Sequence, residues 1–99
     1  MYTVIVADDD EEIRRGIVRK VRWEELGFRV VGEAENGAEA LEMVEKLEPD
    51  LLLTDIRMPF LSGIELARSV REVLPTVQIA FLSGFDDFSY AQPVSYTHL

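Results

Sequence analysis

Two apolar runs in this chain do not alternate, and that constrains the fold more than anything else in it. Residues 4–7 read Val-Ile-Val-Ala and residues 51–53 read Leu-Leu-Leu, and each run is cut off by carboxylates: Asp8-Asp9-Asp10 after the first, Asp55 after the second. A strand with one wet face alternates apolar with polar residues. A strand with neither face wet must be covered on both sides, which is the condition of a parallel sheet lying between layers of helices.

The segments between these runs change to helical spacing. Strand one covers Thr3 to Ala7, and from Asp10 to about Arg22 a first helix is expected, with Ile13, Ile17 and Val21 on its inner side and Arg15, Arg19 and Arg22 on a solvated stripe. Phe28 to Gly32 reads as strand two. Asn36, three positions before Glu39, can cap a second helix whose inward residues are Ala40, Leu41, Val44 and Leu47, stopped by Pro49. Asp50 to Thr54 is strand three. Ser62 and Glu65 form a capping box that opens a third helix, with Ile64, Ala67, Val70 and Leu74 facing inward. Pro75 separates it from strand four, Val77 to Leu82. Asp86-Asp87 can cap a short fourth helix with Phe88 and Tyr90, interrupted by Pro93. Strands and helices therefore alternate as βαβαβαβα, the pattern of an α/β fold with a parallel sheet and right-handed crossovers. Trp23 and Phe28 read as packing aromatics, Met58 as a packing element of its loop, and Asp10 as a helix cap.

Ninety-nine residues leave room for one domain and no second. The formal net charge of -9 repels phosphate backbones, so direct nucleic-acid binding by this segment is not expected, while cations such as Mg²⁺ or basic partners suit it. With no cysteine, disulfides, thiolate catalysis and Cys-ligated zinc are excluded. No basic leader precedes the first apolar run, which is too short for a signal peptide or a membrane span, so no membrane association and a cytoplasmic location are expected.

In an open parallel sheet, ligands collect beyond the carboxyl ends of the strands. If strands one and three are neighbours, their ends lie about 5 Å apart and Asp8, Asp9 and Asp55 meet in one pocket. Two carboxylates about 4 Å apart repel by roughly 4 kcal/mol at an effective dielectric near 20, so such a trio must take up protons or a cation. Mg²⁺, a hard ion that keeps several waters, suits one or two carboxylates, a carbonyl and a phosphate oxygen. The buried strand is thus a rigid mount for the acid at its tip. Ser83 at the end of strand four can donate a hydrogen bond to a phosphoryl oxygen, and Gly84 after it leaves space for the incoming group.

The stretches "VIVADDD", "LLLTDIRMPFLSGIEL" and "IAFLSGFDD" resemble, in order and separation, the receiver domains of bacterial two-component response regulators, over residues 1 to about 92. The stretch "WEELGFRVVGEAENGAEAL" looks most like receivers fused to an AraC-type helix-turn-helix output domain. The resemblance implies a flavodoxin-like, doubly wound sheet of order 2-1-3-4. It implies that Asp55 accepts a phosphoryl group, that Asp8 and Asp9 hold Mg²⁺ directly or through water, that Arg57 offers the metal its backbone carbonyl, and that Ser83 contacts the phosphoryl group. The implied partner is a sensor histidine kinase or phosphotransfer protein, contacted in part through the first helix, and the implied role is control of an output such as transcription, not turnover as an enzyme.

The family pattern also calls for a fifth strand, with an aromatic switch residue and a lysine, and for a fifth helix. Neither is legible here, and residues 93–99, "PVSYTHL", resemble nothing in the family. The chain therefore reads as a partial receiver domain over 1–92 with a non-native tail. An apolar strand-four edge left open in this way favours self-association or a homodimer. Three rivals remain. A degenerate receiver would act only as a dimerisation or binding module. A Mg²⁺-dependent phosphatase resembling the haloacid dehalogenase type wants a second Asp two places after the nucleophile, where this chain has Arg57. A flavin-binding flavodoxin wants a Ser/Thr/Gly-rich phosphate loop after strand one, where this chain has acids.

Overall fold

A computed structural model of the chain describes residues 1–82. The expectations for Ser83, Gly84, the fourth helix and the 93–99 tail lie outside the described residues. Four strands, β1 (Tyr2–Ala7), β2 (Phe28–Ala34), β3 (Leu51–Asp55) and β4 (Gln78–Leu82), alternate with helices α1 (Glu11–Lys20), α2 (Gly37–Leu47) and α3 (Gly63–Val73). A short 3-10 turn, Glu24–Leu26, which the sequence reading did not anticipate, precedes β2.

The strands form one parallel sheet in the order β2-β1-β3-β4, as expected. The unbroken apolar runs sort themselves by the period of two. Ile5, Ala7, Leu52 and Ile79 point to the side where Ala40, Val44, Leu66, Ala67 and Val70 of α2 and α3 pack. Val4, Val6, Leu51, Leu53 and Ala80 point to the other side, against Ile17 and Val18 of α1, with Trp23 and Phe28. Each fully buried aliphatic side chain contributes roughly 1.5–3 kcal/mol, so the central strands, clad on both faces, hold the fold together. Trp23 stands edge-on to Phe28 with ring centroids 6.1 Å apart, and its indole N–H donates to the Ile17 carbonyl, the packing role expected of it.

The helix starts follow local chemistry. Asp10 Oδ1 accepts from the Ile13 amide, Asn36 from the Glu39 amide, and Ser62 and Glu65 close their capping box in both directions. The solvated stripe on the first helix is also as expected: Arg15 pairs with Glu11 on the surface, and Arg22, just past the helix, pairs with Glu25.

The inner faces need correction. Helix α1 ends at Lys20, Ile13 is 52% exposed, Val21 is exposed beyond the helix, and the residue it buries is Arg14. The guanidinium finds two acceptors inside, as described below, and the helix turns to seat it. On α2, Leu47 is 48% exposed at the last turn. On α3 the buried set is Gly63, Leu66, Ala67 and Val70, the i, i+3, i+4, i+7 stripe, with Ile64 and Leu74 only partly covered.

Candidate functional site

The order β2-β1-β3-β4 reverses direction between β1 and β3, which opens a crevice above their carboxyl ends. Ala7 pairs with Thr54 across these strands, so Asp8 and Asp55 are the next residues out on adjoining strands. The register alone brings them together. One carboxylate oxygen from each of Asp8, Asp9 and Asp55 lies within 4.8 Å of the other two. Asp8 is buried, Asp55 half-buried and Asp9 exposed, so the trio runs from the sheet to the solvent.

Each acid is held differently. Asp8, only 3% exposed, accepts the Asp10 amide on Oδ1 at 2.9 Å. Burial pushes its carboxyl above the ordinary range, and the neighbouring charges of Asp9 and Asp10 add to this, against the stabilising Asp10 amide. Asp55 Oδ1 accepts the Ile56 amide at 2.8 Å, and the buried Thr54 hydroxyl donates to the Asp55 carbonyl at 3.0 Å. Asp10 is not one of the trio; its Oδ1 accepts the Ile13 amide as the α1 cap.

The loop after β3 returns at once. The Gly63 amide donates to the Ile56 carbonyl at 2.7 Å, and a Cβ at Gly63 would overlap the Asp55 carbonyl oxygen and lie 2.9 Å from the Ile56 Cα. Asp9, Ile56, Arg57, Met58, Pro59, Ser62 and Ile64 line an open groove of about 530 Å³ beside the trio. Met58 is partly buried, its sulfur 3.9 Å from the Thr54 hydroxyl, the packing role expected of it. Arg57, an exposed residue two places past Asp55, stands at the groove with Asp9. Ser83 lies outside the described residues.

The donor set fits a hard divalent cation: three carboxylates, all oxygen, beside a groove wide enough to leave water on the ion. Asp8, Asp9 and Asp55 are the residues that would hold it.

One participant escaped the sequence reading. Arg14 is buried next to the acids, with Nη1 donating to the Asp8 carbonyl at 2.8 Å and Nε to Glu33 Oε1 of β2 at 3.2 Å. The signal was present: 14, 17, 18 and 21 form a helical stripe, and an arginine at the head of an otherwise apolar stripe marks a cation with partners inside.

Comparison with known proteins agrees with this geometry. The family model for the response regulator receiver domain matches residues 4–96. The uncharacterized transcriptional regulatory protein YesN of Bacillus subtilis is 41% identical over 92 residues, covering 93% of this chain and 25% of that protein. The transcriptional regulatory protein HptR of Staphylococcus aureus is 34% identical over 90 residues, covering 91% of this chain and 35% of that protein. This chain therefore spans about a quarter to a third of the length of these relatives. Among solved structures, the REC domain of AraT from Geobacillus stearothermophilus superposes with a TM-score of 0.89 at 39% identity, covering 97% of this chain and 75% of that one. A two-component AraC-type regulator from Clostridium phytofermentans gives 0.84 at 31% identity, covering 94% and 72%. No helix among the described residues is long and apolar enough to cross a membrane. A parallel sheet of order 2-1-3-4, an acid trio at its switch point and a family match over nearly the whole chain have one meaning: this chain belongs to the response regulator receiver domains.

Proposed function

We propose that this chain takes a phosphoryl group onto Asp55 from a phosphohistidine of a sensor histidine kinase or phosphotransfer protein, and that the phosphorylated state controls an output. The relatives named as transcriptional regulators favour transcription as that output. The observation that carries the reading is the setting of Asp55. One oxygen is held by the Ile56 amide, and the carboxylate lies within 4.8 Å of two further acids beside an open groove.

Phosphoryl transfer needs positioning and charge neutralisation more than covalent help. The Ile56 amide holds one Asp55 oxygen at the mouth of the crevice, and the carboxylate meets phosphorus in line with the departing imidazole. The O–P bond forms as the N–P bond breaks, and the imidazole leaves on the donor. A Mg²⁺ ion bound at the trio supplies neutralisation of the phosphoryl oxygens. The product is an acyl phosphate on the chain itself, so the domain is modified once and reset, and does not turn over a separate substrate. Arg57 would lend its backbone carbonyl to the ion, and Ser83 its hydroxyl to the phosphoryl group. A cytoplasmic location suits a kinase donor of this kind.

The test is labelling with phosphoramidate and Mg²⁺, read by intact-mass spectrometry. One phosphoryl group is expected on the parent chain, and none on Asp55→Asn or in excess EDTA. A label that persists on Asp55→Asn overturns the assignment.

A further inference from the structure

Arg14 is the one buried cation among the described residues, its side chain 9% exposed, and it spends its guanidinium on two groups, one just past the end of β1 and one in β2. One is the Glu33 carboxylate of β2. The other is the carbonyl of Asp8, and that carbonyl belongs to the peptide joining Asp8 to Asp9. The orientation of this peptide plane sets the direction in which both carboxylates leave the backbone.

The rest of the anchoring is on β1 and β2. The Asp8 amide donates to the Ala34 carbonyl at 3.0 Å, continuing the β1–β2 ladder by one rung, and the Asp8 carboxylate takes the Asp10 amide. Without Arg14 the Asp8 carbonyl would be a buried acceptor with its donor removed, and the peptide would be free to turn toward another. A guanidinium presents Nε and Nη1 in a fixed fork and so reaches Glu33 and Asp8 at once. A lysine has a single nitrogen for the two.

We propose that Arg14 is a positioning residue of the cation site, clamping the Asp8–Asp9 peptide to β2 through Glu33 so that both carboxylates face Asp55. This rests on the reading of the acid trio as a divalent-cation site. The clamp lies outside the trio and touches none of its carboxylate oxygens, so it acts through backbone orientation.

Calorimetric titration of the full chain with Mg²⁺ tests it, on the parent, Arg14→Met and Arg14→Lys. Removing a supporting partner of a metal ligand weakens affinity by about 10- to 100-fold. Arg14→Met is expected to show a loss of that size at unchanged stoichiometry, with the phosphoramidate labelling rate recovering at saturating Mg²⁺. Arg14→Lys, which keeps one of the two bonds, is expected to fall between. A purely structural role would lower the fraction of binding-competent chain and leave the affinity of the remainder unchanged, and that outcome overturns the proposal. If Arg14→Met does not fold, a parent-like affinity in Arg14→Lys overturns it equally. A parent chain that binds no Mg²⁺ removes the cation reading and the clamp together, whereas a parent that binds and variants that bind alike remove the clamp alone.

Discussion

Asp8 sits where its own charge is unfavourable. It is buried, two further acids follow it in sequence, and its carboxyl is raised above the ordinary 3.8 by burial first and by the Asp9 and Asp10 charges after that. A carboxyl raised in the fold contributes stability that is full below its unfolded value and is lost as pH rises through the folded one. In the cation-free fold, ionising Asp8 therefore costs more than in the unfolded chain, where water solvates the charge. Asp8→Asn keeps the oxygen that accepts the Asp10 amide and discards the charge. In EDTA at pH 7 this variant is expected to melt above the parent, with the difference disappearing below pH 3.8. Thermal melts followed by circular dichroism across that range check it, and a variant that melts below the parent at pH 7 contradicts it. The same variant should bind Mg²⁺ poorly, which separates the two roles of the residue: stability without the ion and affinity for it oppose each other here.

At the scale of elements, the site depends on how closely the start of α3 is seated on the end of β3. Gly63 is the first residue of α3, and a methyl there would run into the Asp55 carbonyl and press on the Ile56 backbone. Gly63→Ala is expected to cost about 1–3 kcal/mol, the range for forcing extra volume into a packed contact. Because the displaced group is the Asp55 backbone, Mg²⁺ affinity should fall as well. Urea unfolding and a Mg²⁺ titration on the same variant measure both, and a stable variant with intact affinity would contradict the close seating. The elements differed in how legible they were. The caps at Asp10, Asn36 and Ser62 could be read because they are local, each a side chain and an amide three residues apart. The acid trio could be read because strand ends are marked by where the apolar runs stop, and a shared register places the ends together. The rotation of α1 could not be read from its apolar residues, because what decides it is a pair of acceptors, at Asp8 just past β1 and at Glu33 in β2, one of them a backbone carbonyl. Burial of Leu66 in place of Ile64 on α3 has a similar origin, since the stripe that faces inward begins at Gly63, where the helix touches β3.

At the scale of the molecule, the sequence carries a formal net charge of -9, and three of its acids, Asp8, Asp9 and Asp55, meet at one crevice. These two facts predict different responses to ions. General screening weakens repulsion between surface charges more than a Debye length apart and is indifferent to which cation supplies it. A cation that binds the folded trio and not the unfolded chain stabilises by mass action, by about 2.7 kcal/mol at a hundred times its dissociation constant. For a domain of this size about 1 kcal/mol corresponds to roughly 4–8 °C in Tm, so Mg²⁺ at that level is expected to raise the melting temperature by about 10–20 °C. Sodium chloride at matched ionic strength should give only the screening part. Asp55→Asn removes one carboxylate from the trio and leaves the surface charges in place, so it should keep the sodium response and lose most of the magnesium response. Differential scanning calorimetry in the two salts, with EDTA to reverse the magnesium effect, separates them. An equal magnesium shift in the parent and in Asp55→Asn would mean that the ion acts on the surface as a whole, and would deny the crevice its role as the place where charge is neutralised.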